Sequence, residues 1–465
     1  MGDYLFPAEP GVREIARELY EHVRALPIVS PHGHVDPATL ADDRPFPDPA
    51  RLLIVPDHYV TRLLVSQGVT PERLGVAPRD GGPYETDGRA IWRLLAEHWH
   101  AFRGTPSRMW LELTFRDVFG LGEVRLGPDT ADEVYDAIAA RLAEPGFRPR
   151  ALFDRFGIEV LATTESPLDP LAHHDRLAAD GWGRKVITTF RPDDVVDMDR
   201  PDWADNVRRL GELTGEDTEG FDGYLAALRA RRAYFKARGA TATDHGHPTA
   251  RTGELAHEEA ARLFKRRLAG PVPAADAEAF RAHMLVEFAR MSLDDGLVMQ
   301  LHPGPYRDHD AWLHARFGKD VGGDIPTATE YTRALKPLLD RFGHEPGFRL
   351  VVFTLDESTF TRELAPLAGV YPALFLGAPW WFLDSPEGLR RFRETVTETA
   401  GFYNTAGFVD DTRAFCSIPV RHQVARRIDA AFLARLVAED RLPLDEAAET
   451  AADLAYHLAK RVYNL

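Results

Sequence analysis

The architecture of this chain is read from one stretch near its start, Pro27-Ile28-Val29-Ser30-Pro31-His32-Gly33-His34-Val35-Asp36-Pro37. A short apolar run leads into two histidines. Successive side chains on a strand point to opposite faces, so residues two apart share a face. His32 and His34 therefore present their imidazoles to one point, and Gly33 adds no bulk between them. Asp36-Pro37 ends the strand, because proline cannot continue a ladder. Two imidazoles converging at a strand end form half of a divalent-metal site. The remaining ligands must come from elsewhere in the chain.

Composition narrows the function classes. The chain has 465 residues, 44% hydrophobic and 28% charged, which suits a large-cored globular enzyme. Its net charge of −16 argues against a nucleic-acid partner. An anionic small substrate remains possible if the pocket supplies local cations. The single cysteine, Cys416, excludes an intrachain disulfide and fits a reducing compartment. Met1-Gly2-Asp3-Tyr4 has neither the basic region nor the apolar core of a secretion signal, so a cytoplasmic location is expected. No apolar run approaches the roughly 20 residues of a membrane span.

Outward from His32, the pattern alternates. Residues 10–26 carry helical spacing at Val12, Ile15, Ala16, Leu19, Tyr20 and Val23. Residues 38–150 read as helices and loops without a strand. From 150 onward, strands are expected at Ile158–Thr164, Lys185–Phe190, Ala240–Thr243, Leu297–Leu301, Arg349–Leu355, Ala373–Leu376 and Thr405–Val409, separated by helices that include one near 327–342. With the first strand this makes eight, the order of an α/β fold of the (β/α)8 TIM-type barrel. The expected organisation is an N-terminal helix and strand one over 1–37, a helical insertion over 38–150, and the rest of the barrel with terminal helices over 151–465. A doubly wound open sheet is the alternative, but no glycine-rich or Walker-type phosphate loop follows any strand.

Catalytic groups of a barrel cluster at the C-terminal ends of its strands. Those ends carry His32 and His34, Thr164 and Glu165, Arg191-Pro192-Asp193, Asp244 and His245, His302, Asp356 and Glu357, Trp380 and Trp381, and Asp410, Asp411 and Arg413. Each has an ordinary explanation. Asp411 could cap a helix, Arg191 could be a surface ion-pair partner, and His302 could be a hydrogen-bonded core histidine. Trp380 and Trp381 could be packing, with at most one lining a pocket. Polar groups at nearly every buried strand end are costly unless they face one polar pocket. Strands one and eight become neighbours when a barrel closes. His32, His34 and Asp411 then form a coherent metal set with positions left open for substrate.

The His-x-His of strand one and the aspartate of strand eight resemble the amidohydrolase superfamily of metal-dependent barrels. More narrowly, the chain resembles the uronate isomerase (glucuronate isomerase) family. The segments that carry the resemblance are Pro27–His34, Asp57-His58-Tyr59, Thr189-Phe190-Arg191-Pro192-Asp193, Thr243-Asp244-His245-Gly246, Met299-Gln300-Leu301-His302, Gly377-Ala378-Pro379-Trp380-Trp381-Phe382 and Asp411-Thr412-Arg413. They span nearly the whole chain. Hydrolytic relatives often bind two metals through a strand-four lysine and a strand-six histidine. Neither is present here, so one divalent ion is expected, and the resemblance favours Zn²⁺.

The resemblance implies interconversion of D-glucuronate with D-fructuronate, and of D-galacturonate with D-tagaturonate, by proton transfer through an enediol. It places the metal on His32, His34 and Asp411 and proton transfer on Asp411, Tyr59, His58 and Arg413. Arg191 would clamp the substrate carboxylate, and His302, Asp244, Trp380 and Trp381 would bind the sugar. Asp411 is the favoured C2 base, with His58 and Tyr59 as alternatives that could instead cap or pack the helix after Asp57. The expected partners are a sugar acid and further copies of the chain, with no nucleic acid and no membrane. A mononuclear metal-dependent hydrolase, such as a lactonase or deaminase, and a non-catalytic sugar-acid binder are the competing readings.

Overall fold

Seven parallel strands follow one another around a curled sheet in a computed structural model that describes residues 2–122 and 124–465. They are β1 (Ile28–Ser30), β2 (Ile158–Glu165), β3 (Val186–Phe190), β4 (Ala242–His245), β5 (Val298–Leu301), β6 (Leu350–Val352) and β7 (Leu374–Leu376). The order is sequential, each strand pairing with the next, as a (β/α)8 barrel requires and a doubly wound sheet forbids. The eighth position is filled by an extended segment that meets β7 at a single bridge, Leu376 to Thr405. The Leu376 amide donates to Asn404 O at 2.9 Å, and the Ala406 amide donates to Leu376 O at 2.8 Å. Thr405–Val409 was expected to be a full strand. Gly407 stands at φ 78° against the backbone of Ala459 and bends the segment out of strand geometry. Closure is completed by the His34 amide, which donates to Thr412 O at 3.1 Å.

Strand alternation sorts the core. Phe190, Met299, Leu301, Leu350, Val352, Leu374 and Leu376 pack outward in the largest apolar cluster, with helix residues such as Trp203, Phe264 and Phe280. Ala242, Val298 and Val351 belong to an inner cluster with Tyr463. Val160, Ala162 and Ile187 pack with Leu465. The Tyr463 hydroxyl donates to Gln300 Oε1 at 3.1 Å.

Helix starts recur as a polar cap followed by proline, which suits the first helical position because its missing N–H would be unpaired there anyway. Asp36, Asp48, Thr105 and Ser385 cap the helices Pro37–Asp42, Pro49–Leu53, Pro106–Leu113 and Pro386–Ala400 in this way. The helices between β1 and β2 share one apolar cluster with Ile28, Leu161, Val186 and Phe415. They therefore lie against the joint between the first and last strands.

The sequence reading missed one excursion. Between β5 and β6 the chain forms a two-stranded antiparallel pair, Pro305–Tyr306 with Ile325–Pro326, around the helix Ala311–Phe317. The helix expected near 327–342 is confined to Lys336–Phe342, because the residues before it return this excursion. Both strands of the pair are too short to show a period. No helix among the described residues is long and apolar enough to cross a membrane.

Glu165 at the end of β2 is buried, accepts from the Thr188 hydroxyl and lies 3.8 Å from His174 Nε2. Burial pushes its carboxyl up to about 7 against the opposing pull of Thr163 and Thr188. The native state thus holds a proton that the unfolded chain releases at lower pH. This contribution to stability is complete below the unfolded pKa and is lost as pH rises through about 7. Urea unfolding of Glu165→Gln at a series of pH values is expected to show the variant gaining on the parent between about pH 5 and pH 8. A constant difference would contradict the assignment.

Candidate metal and substrate site

β1 delivers His32 and His34 to the mouth of the barrel, their ring centroids 5.2 Å apart and their planes at 86°. Asp411 meets them from the end of the eighth segment at φ 40°, a conformation unfavourable for a residue with a side chain. Asp411 Oδ1 lies 3.4 Å from His32 Nε2 and 3.2 Å from His34 Nε2. It is buried and has no hydrogen bond despite those neighbours. Burial opposes ionisation of Asp411, but the two imidazoles outweigh it and hold the carboxyl far below the usual range. These three residues are the one His/Cys/Asp/Glu group among the described residues whose ligand atoms all lie within 4.8 Å of one another. Two nitrogens and a carboxylate oxygen that face each other without bonding fit a divalent ion with open positions. Asp410, one residue earlier, faces away and receives His422 Nε2 at 3.1 Å.

A second cluster stands beside the first. Arg191 follows β3, donates from Nε to Asp193 Oδ2 at 2.9 Å, and places an Nη 3.4 Å from Asp244 Oδ2. Asp193 also accepts the Gly246 amide on both oxygens at 3.2 Å. Burial opposes its ionisation, but Arg191 prevails and brings Asp193 down to about 2. Asp244 lies at the end of β4 and approaches His302 Nε2 to 2.5 Å. That approach lies off the hydrogen-bonding direction and leaves both atoms unpaired. A side chain at Gly246 would collide with Arg191 and with the His302 ring, so glycine there permits the approach of β4 to β5. The His302 ring lies 6.0 Å from that of His32, so the two clusters share one site.

Aromatic walls close it. His302 packs edge-on against Trp380 at 5.1 Å, and Phe353 of the β6 end lies 6.1 Å from His32. Trp381 reaches the opposite side, edge-on to His58 at 5.7 Å. Trp380 lines the small cavity with His32, His302, Phe353, Val409 and Asp411, whereas Trp381 packs on His58. Both lie beyond β7, which ends at Leu376, and Trp381 at φ 51° opens a 3₁₀ turn, so the strand alternation assumed for the pair does not apply.

Asp57 caps the helix His58–Ser66, accepting the Tyr59 amide at 2.9 Å. The cap orients the two residues after it. His58 stacks on Tyr59 at 4.7 Å, and His58 Nε2 is buried without a partner. Burial, aided by Arg413, pushes His58 down to about 4, so it is neutral. Burial raises Tyr59 well above the ordinary phenol value, so it stays protonated. The Arg421 guanidinium lies 5.1 Å over the Tyr59 ring. Arg413 places an Nη 3.1 Å from Asp320 Oδ2.

The barrel mouth therefore brings together His32, His34, His58, Tyr59, Arg191, Asp244, His302, Trp380, Trp381, Asp411 and Arg413. Other strand-end candidates lie elsewhere. Asp356 builds its own turn, receiving the Ser358 and Thr329 amides, and Glu357 pairs with Arg391. His245 packs on Phe288 at 4.8 Å. Asp320, Arg307, Arg421 and Phe353 were not foreseen. The first two lie on the excursion after β5, and nothing in their local sequence sets them apart.

A family model described as glucuronate isomerase matches residues 11–463. The chain belongs to the glucuronate isomerase family. A uronate isomerase of Phenylobacterium zucineum is 61% identical over 463 residues, covering 100% of this chain and 96% of the relative. One of Rhizorhabdus wittichii is also 61% identical, covering 100% and 98%. The crystal structure of glucuronate isomerase from Caulobacter crescentus superposes with a TM-score of 0.97 at 54% identity, covering 100% of this chain and 96% of that one. That of uronate isomerase from Thermotoga maritima gives 0.92 at 28% identity, covering 99% and 98%. Family membership makes the chain an aldose–ketose isomerase and sets aside the hydrolase and binding-protein readings.

Replacing His34 by alanine removes one of the three residues that could hold an ion while leaving β1 intact. Purified His34→Ala is expected to keep its circular dichroism spectrum and to retain less than about a tenth of the bound metal of the parent. Elemental analysis of both proteins checks this, and full metal retention would place the ion elsewhere.

Proposed function

We propose that this chain interconverts D-glucuronate with D-fructuronate, and D-galacturonate with D-tagaturonate, by moving a proton between C2 and C1 of the open-chain sugar acid. The observation that carries the reading is the meeting of the His32–His34–Asp411 group with the Arg191–Asp244–His302 group at one barrel mouth. His32, His34 and Asp411 would hold one divalent ion, which we take as Zn²⁺. When bound it supplies Lewis acidity toward the oxygens on C1 and C2.

The protein's own groups do the rest. Arg191 receives the C6 carboxylate through its planar guanidinium. Asp244 and His302 bind sugar hydroxyls, and Trp380 and Trp381 pack on the apolar face of the carbon chain. Asp411 takes the proton from C2 and returns it to C1 on the same face. Tyr59 is held protonated by burial and gives a proton to O1 as charge builds there. Neutral His58 accepts the proton that leaves O2, and it returns the proton to solvent, from which Tyr59 is reprotonated, as the product leaves. Arg413 lowers the cost of enediolate charge. The insertion that carries His58 and Tyr59 is best delimited at 38–150. The single cysteine, Cys416, buried in the core, fits a reducing cytoplasm.

Tyr59→Phe removes the acid but no metal ligand. It is expected to lower kcat by about 10²–10⁴-fold while leaving KM and bound metal unchanged, read by coupled reduction of the ketose product. Transfer by one shielded carboxylate also predicts that C2-deuterated D-glucuronate leaves part of its label on C1, seen by NMR of the first product formed. Complete wash-out would assign the transfer to a group in exchange with water.

A further inference from the structure

The excursion after β5 brings an unassigned carboxylate to the mouth of the site. Asp320 lies in Gly318-Lys319-Asp320-Val321-Gly322-Gly323, where Gly318, Asp320 and Gly322 all have positive φ (90°, 61° and 91°). Such a run adapts readily at its glycines and is held at Asp320 by what the side chain bonds. One Asp320 oxygen lies 3.1 Å from an Arg413 Nη, and the other faces an Arg307 Nη at 4.0 Å. Burial opposes its ionisation, yet Arg413 and Arg307 outweigh burial and hold the carboxyl below its ordinary value, with a smaller contribution from Arg191.

The surroundings place this loop over the site. Gly322 packs on the first turn of the helix that begins at His58, against Arg62 and His58 O. Arg307 lies 5.2 Å over the Trp381 ring and is anchored through a 2.8 Å bond to Asp324, which also accepts the Asp308 amide at 2.7 Å. Asp324 therefore fixes the base of the excursion, and Asp320 is its half-exposed tip. The cations facing Asp320 are Arg413, Arg307 and, farther in, Arg191. A sugar acid must pass or occupy this same field.

We propose that Asp320 sets substrate affinity by acting as an internal stand-in for a carboxylate substrate. In the free protein it occupies the cations of the mouth, and an incoming sugar acid takes over their charge as the 318–323 loop releases its tip. The step breaks and forms ion pairs only. Its cost falls on every monocarboxylate entering the site and weakens binding, while none of Asp411, Tyr59 and His58, which carry the transferred protons, is ion-paired with Asp320, whose partners are Arg413 and Arg307. The inference rests on the isomerase reading for its substrate class.

Asp320→Asn keeps the shape of the tip and removes the competing charge. A half-exposed ion pair is weak, so KM for D-glucuronate is expected to fall about two- to fivefold in low salt, with kcat held within about twofold. The advantage is expected to shrink as salt screens the pair. Asp320→Glu, which restores the charge, is expected to return KM toward that of the parent. A large loss of kcat in Asp320→Asn would make the residue part of the chemistry, and a rise in KM would make it an organiser of Arg413; either result overturns the proposal. Calorimetry with D-gluconate, which cannot isomerise, separates the two readings. Tighter gluconate binding by Asp320→Asn supports the stand-in even if the parent leaves both uronates unchanged, whereas equal binding defeats it whatever the activity.

Discussion

The hydrogen bond from the His34 amide to the Thr412 carbonyl joins the first and last segments of the barrel, and the metal site exists only where they are joined. β1 is three residues long, and the eighth segment pairs with β7 at a single bridge. Backbone pairing alone is a thin seam. Side chains reinforce it from behind. Arg421 is fully buried on the helix Ile418–Ala438, bonds Asp384 at 2.6 Å and the Asp410 carbonyl at 3.2 Å, and lies 3.7 Å over Trp110. One guanidinium thus ties the turn after β7, the eighth segment and a helix inserted after β1. On the same helix Arg426 donates to the carbonyls of Arg24, Leu26 and Pro27 just before β1. Fixed donors on carbonyls cost less to bury than free charges do. The geometry of Asp411 toward His32 and His34 follows from this brace.

Much of this was legible from residue types and spacing. His32 and His34 were legible as a pair, although both lie past the end of β1 at Ser30 and not on the strand that the period-two reading extended to Asp36, and parallel strands alternating with helices gave the order of β1 to β7. The eighth strand was visible as an apolar run but not as a bent one, because a single glycine, Gly407, changes its geometry without changing its composition. Asp320 and Arg307 were out of reach. Their importance comes from where a short excursion lands, and two-residue strands leave no pattern in sequence. Asp193 was in view as part of a motif, but its hold on both Arg191 and Gly246 is a property of three dimensions.

An acidic protein that binds an acid must recognise its ligand by arrangement more than by net charge. The chain carries −16 overall, and Arg191 stands between two ionised carboxylates, Asp193 and Asp244. That pairing orients the planar guanidinium and favours its charge in a buried place, and bidentate geometry then supplies selectivity that an unoriented cation would not. The neighbouring groups divide by protonation in the same spirit. Asp411 is ionised, Tyr59 is protonated and His58 is neutral. Burial is the largest cause of the shift in the last two, aided by Arg413 at His58, and contact with imidazole sets the first.

The seam between β1 and the eighth segment also imposes an order on biosynthesis. His32 and His34 leave the ribosome early and Asp411 near the end, an interval of roughly twenty to eighty seconds at about 5–20 residues per second. Throughout that time one edge of β1 waits without its partner, and two imidazoles wait without their third ligand. The helices that follow β1 emerge next and share its apolar cluster, so Ile28 of the waiting strand has its packing partners early. The His32–His34–Asp411 group is completed only near the end of synthesis, and a chain released before Asp411 lacks one of its three members.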